Sequence, residues 1–88
     1  MRVIVLDGAC FTSKAETHEY IAKMLGFPAY YGKNLDALDD SLHELPRDTG
    51  IIIVNAAAAR CALSDYADGI FEDFFDVLGG RFRVCIFE

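Results

Sequence analysis

Residues Tyr30 to Asp40 read Tyr-Tyr-Gly-Lys-Asn-Leu-Asp-Ala-Leu-Asp-Asp, which places carboxylates at Asp36, Asp39 and Asp40, with His43 shortly beyond. Carboxylates held on a rigid helix accept charge-assisted hydrogen bonds from the Arg, Lys or His side chains of another molecule. Carboxylates at i, i+3 and i+4 can also converge on a divalent cation, so a metal site built from Asp36, Asp39, Asp40 and His43 is the competing chemistry. Against it, the chain has no Gly-rich phosphate loop, no evident nucleophile and base pair, and no Cys-x-x-Cys or Cys/His metal spacing. A chain of 88 residues also leaves little room for a substrate cleft. The expectation is a protein without catalytic turnover, metal or other cofactor.

The elements around the run explain how such groups would be positioned. Gly32 turns the chain through angles closed to other residues, and Asn34 is placed to cap the helix that follows. On that helix Leu35, Leu38 and Leu42 form an apolar stripe, while Asp36, Asp40 and His43 repeat on a different face with Asp39 beside them. Two carboxylates one turn apart repel by roughly a few tenths of a kcal/mol. A helix that keeps them uncompensated has its partner on another molecule. The helix ends near Glu44, ahead of Pro46.

The remaining elements alternate. Arg2 to Leu6 reads as a strand ended by Asp7-Gly8, and Ser13 with Glu16 makes a capping box for a helix closed by Gly26 ahead of Pro28. Ile51 to Val54 is a strand without polar alternation, expected to be buried on both faces. A helical turn or two follows at Ala56 to Leu63, then a break at Ser64-Asp65, then a helix carrying Ile70, Phe71, Phe74, Val77 and Leu78 and ended by Gly79-Gly80; Phe82 to Phe87 is the last strand. The alanines from Ala56 to Ala59 imply a close helix contact. Three short strands joined by long helical connections make an α/β fold, a small three-stranded parallel sheet with helices packed on it, in a single domain over residues 1–88.

Composition narrows the partner. A net charge of −6 disfavours nucleic acid and anionic membranes and favours a basic protein. A chain that is 53% hydrophobic, with seven Phe and four Tyr, is not a disordered acidic tail. Nine of its fourteen acids fall in Asn34–Pro46 and Cys61–Gly80, stretches without Lys or Arg. The three cysteines, an odd number, and the lack of a signal-like start or a membrane-length apolar run fit a reducing cytoplasm. Cys61 and Cys85 are expected to be buried and Cys10 exposed.

The segment from Tyr30 to Asp40 resembles the signature of the barstar family, small intracellular inhibitors that cover a ribonuclease active site with an acidic helix and its preceding loop. Pro28, His18 in the first helix, Phe74 in the last and the C-terminal strand extend the resemblance. It implies that Asp40 is the central anchor standing in for the substrate phosphate and Asp36 a second carboxylate. It further implies that Tyr30 packs on the enzyme, that Gly32, Asn34 and Leu35 reach its rim, and that Asp76 adds to the same anionic surface. Asn34 is equally readable as a cap alone, Leu35 as core, and Tyr31 as the loop's support. Asp39 and His43 depart from the family pattern, as do Lys33, Glu44 and Leu45. The implied partner is a basic microbial-type ribonuclease bound 1:1 by a chain that is a monomer when free. The alternative is a module of the same fold that binds a basic protein other than a ribonuclease.

Overall fold

The structure, a computed structural model, describes residues 2–79 and 83–88. The expected helix end at Gly80 and strand start at Phe82 lie outside the described residues. Strands β1 (Arg2–Asp7), β2 (Thr49–Val54) and β3 (Val84–Ile86) form one parallel sheet in the order β1-β2-β3, with Arg2 opposite Thr49 and Ile51 opposite Val84. Helices α1 (Lys14–Leu25) and α2 (Leu35–His43) connect the first two strands, and α3 (Ala56–Leu63) and α4 (Asp65–Leu78) the last two. The α/β architecture is the one the alternating elements imply.

Strand order follows chain order, so both crossovers step in the same direction across the sheet. A right-handed turn in each then puts their helices on one face. Burial follows this geometry: Ile4, Leu6, Ile51, Ile53 and Val84 are buried, whereas Val3 and Val5 on the opposite face are 52% and 48% exposed. The expectation that β2 is buried on both faces is therefore corrected, since Ile52 and Val54 are only half-buried. An unbroken β-branched run reports strand propensity and does not require a second layer of helices.

Cys85 pairs in register with Ile52 on that open face, and Cys61 lies off the buried Ala56, Ala59 side of α3. Both are exposed, as is Cys10, which overturns the expected burial of the first two. The alanine contact is present as expected: Ala56 and Ala59 are buried, and α3 starts so close to the turn after β1 that a Cβ on Gly8 would lie 2.3 Å from the Asn55 carbonyl oxygen. The Ser13 hydroxyl accepts from the Glu16 N–H at 3.1 Å, but the Glu16 carboxylate bonds the Thr12 hydroxyl instead of completing the box.

Candidate protein-binding surface

The chain leaves α1 through Gly26, whose φ of 73° is left-handed. It then turns at Pro28, whose carbonyl accepts from the Tyr31 N–H at 3.0 Å. Lys33 also adopts a left-handed φ, 54°, which costs a residue with a Cβ about 1–2 kcal/mol. Its ammonium meets Glu19 of α1 at 3.0 Å, so this cation is spent within the molecule. Asn34 caps α2 as its type implies, with Oδ1 accepting from the Ala37 N–H at 2.7 Å. Its Nδ2 donates to the Gly32 carbonyl at 3.2 Å, so one side chain holds both the loop glycine and the helix start.

This arrangement sorts the aromatic pair. Tyr30 is 88% exposed, and Tyr31 is buried with the core. Between the loop and α2 runs a groove of about 240 Å³ bounded by Tyr30, Gly32, Asp40, Ser41 and Glu44. Asp40 and Glu44, one helical turn apart, give it an acidic wall. Leu38 and Leu42 are buried as the stripe implies, while Leu35 is half-buried against α4, its Cδ1 3.2 Å from where a Cβ on Gly69 would stand. Leu35 is thus a helix-packing residue with one side left at the surface.

A second acidic patch lies where α2 meets α4. Asp36 is exposed in the first turn of α2, where the helix dipole favours a negative charge. Asp39 is half-buried, and His43 Nδ1 donates to its backbone carbonyl at 2.8 Å, with the Asp39 carboxylate at 3.7 Å. That nitrogen of His43 is committed to its own helix. Asp73 of α4 was not singled out from the sequence, yet it is central here. Burial pushes its carboxyl above the ordinary range, and the charges of Asp39, Asp76, Asp36 and Glu72 push it further. Its Oδ2 is buried without a hydrogen-bond partner among the described residues. Asp76, the α4 acid anticipated from the sequence, is exposed one turn beyond and acts on Asp73 at closer effect than Asp36 does. The helical spacing of Ile70, Asp73 and Phe74 was the available signal, but only the packing of α4 on α2 turns Asp73 towards the acids of α2.

The predicted residues therefore divide into a groove (Tyr30, Gly32, Asp40) and an acidic flank (Asp36, Asp39, Asp76), joined by the capped start of α2. No group of three or more His, Cys, Asp and Glu side chains among the described residues is placed to hold a metal ion. The arrangement offers one open, acid-walled groove with an exposed aromatic at its lip, suited to cationic side chains of another protein.

The family model for "Barstar (barnase inhibitor)" matches residues 1–83. A Bacillus subtilis (strain 168) protein named "Putative ribonuclease inhibitor YrdF" is 37% identical over 75 residues, which cover 82% of this chain and 80% of that protein. With nearly its whole length matched and the acidic α2 in its place behind the Tyr30 loop, the chain belongs to the barstar family.

Proposed function

We propose that this chain inhibits a small basic ribonuclease of the microbial type, binding it 1:1 and blocking its active site. The observation that carries the reading is Asp40, which stands exposed on the wall of the groove beside Tyr30 with no Lys or Arg against it among the described residues. A ribonuclease gathers Arg, Lys and His around the scissile phosphate, and a carboxylate presented on a capped helix takes the position of that phosphate with charge-assisted hydrogen bonds. Tyr30 packs over the enzyme's catalytic side chains, and Gly32 and Asn34 meet its rim. Asp36, Asp39, Asp73 and Asp76 face its outer cations, with His43 at their edge. No catalytic step and no cofactor is assigned to the chain. Three exposed free thiols fit residence in a reducing cytoplasm, and no helix among the described residues is long and apolar enough to cross a membrane.

The test is titration of the chain into barnase and a panel of small basic microbial ribonucleases acting on RNA, with EDTA present. Activity is expected to fall to zero at one equivalent for at least one enzyme. Binding to a basic protein without loss of RNA cleavage would favour the non-ribonuclease alternative, and inhibition that needs an added divalent ion would revive the metal reading.

A further inference from the structure

The loop that carries Tyr30 and Gly32 is tied at its helix end by the Asn34 Nδ2 bond to the Gly32 carbonyl, and ahead of Gly32 it has little holding it. From Pro28 to Asn34 every residue is exposed except Tyr31. Hollows of about 240 and 230 Å³ flank the loop, and Pro28 and Tyr31 border both. The Lys33–Glu19 ion pair lies at the surface, where such pairs contribute little. The position of the loop ahead of Gly32 thus depends on Tyr31, its one buried side chain.

Tyr31 in turn depends on His18, which is fully buried in α1. Its Nδ1 lies 2.7 Å from the Tyr31 hydroxyl and its Nε2 lies 2.6 Å from the Tyr66 hydroxyl of α4. A neutral imidazole donates through one nitrogen and accepts through the other, so the two hydroxyls satisfy it completely with no charge buried. Burial lowers the imidazole's pKa and so favours that neutral form. Tyr66 of α4 also meets α1 independently of His18, with the Lys14 ammonium 4.7 Å from its ring centre.

We infer that His18 is a positioning residue, held in place by α1 and fixing the partner-binding loop through the Tyr31 hydroxyl, while the Tyr66 hydroxyl only satisfies its other ring nitrogen. The bearing on inhibition rests on the proposed function; the claim about the loop does not.

Tyr31→Phe and Tyr66→Phe delete the same atom on the two sides of one imidazole. Amide hydrogen exchange in the free protein, compared with thermal melts, reads the loop without any partner. The Tyr31 N–H is expected to exchange about fivefold faster in Tyr31→Phe, the scale of one lost hydrogen bond, and at the wild-type rate in Tyr66→Phe once global stability is matched. His18→Asn, which keeps a hydrogen-bonding atom near the Nδ1 position, should retain part of the protection that His18→Leu loses. Affinity for barnase, where the wild type inhibits it, should fall in Tyr31→Phe and hold in Tyr66→Phe. Equal exchange in the two tyrosine variants, or unchanged exchange in Tyr31→Phe, overturns the positioning role whether or not any ribonuclease is inhibited.

Discussion

In α4 the carboxylate of Asp68 meets Arg60 at 3.0 Å, and the same guanidinium bonds Glu88 and lies 5.2 Å from the ring centre of Phe71. In α2 neither Asp36 nor Asp40 has a Lys or Arg within bridging distance among the described residues. The two acidic stretches looked alike as runs of charge, yet Asp68 of α4 is paired with an arginine inside the chain, whereas among the described residues Asp36 and Asp40 of α2 are not. Net charge counts what a surface holds; local pairing decides how much of it remains to act on another molecule. The helices differ at their starts as well. Asn34 caps α2, whereas α4 begins after Ser64, which holds φ 54° and ψ −131° and makes no side-chain cap bond.

The sharpest break in the comparison comes from single acids. Asp40→Ala should lose at least ~2 kcal/mol of affinity for an inhibited ribonuclease, a hot-spot threshold drawn from interfaces at large, barstar's own among them. Asp68→Ala should lose no measurable affinity. Calorimetric titrations with parallel melts decide it, and comparable losses from both variants would mean that local pairing does not discriminate.

Asn34→Ala should cost about 1 kcal/mol of stability through the lost cap, in contrast with Ser64→Gly, which should gain up to about 1 kcal/mol by relieving a strained φ. Urea unfolding measures both. If the two variants shift the midpoint in the same direction, the contrast between the helix starts is false.

Asp73→Asn should raise stability by about 1 kcal/mol at neutral pH, because a buried carboxylate oxygen without a partner carries a desolvation penalty, while it weakens binding to a basic enzyme. The sign of the pH dependence follows from the raised folded pKa. The penalty is complete above that value and fades as pH falls through it towards 3.8, so the gain from Asn should shrink there. His18 works the other way: its folded pKa is lowered from 6.5, so the unfolded chain takes up a proton first and stability drops as pH falls below about 6.5. Unfolding series between pH 7.5 and 3.5 separate the two signs.

The smallest effect is kinetic. Association with a basic ribonuclease should slow as salt rises, and neutralising Asp36 and Asp39 should flatten that slope more than neutralising Asp65 and Asp68. Stopped-flow association of the two double variants makes the comparison, and identical slopes would show that the Asp68–Arg60 pair does not reduce the pull of the α4 charges.

The site was legible in the sequence wherever its signals were local. Gly32, the Asn34 cap and the spacing of Leu38 and Leu42 each act within a turn or two of chain, and they placed α2 and the exposed Asp40 correctly. Asp73 was missed because its burial beside the acids of α2 arises only when α4 packs on α2, more than thirty residues away in sequence. The open sheet face and the exposed Cys61 and Cys85 were missed for a related reason: β-branched and alanine-rich runs report local conformation, whereas coverage depends on where the crossovers go. Ser64 could be read as a break, but its strained backbone could not.

The register of the sheet has a consequence for how the surface comes into being. Arg2 is joined to Thr49 and Ile51 to Val84, so paired strands are separated by 47 and 33 residues of chain. Helical turns nucleate within their own segments in microseconds, but parallel pairing must first overcome the entropy of closing such spans. All of α1, the Tyr30 loop and α2 lies inside the first of them. The nine-residue α2 is too short to persist without packing, so the acidic surface becomes rigid only with the sheet beneath it, and the rate at which new molecules become competent to bind is set by strand closure.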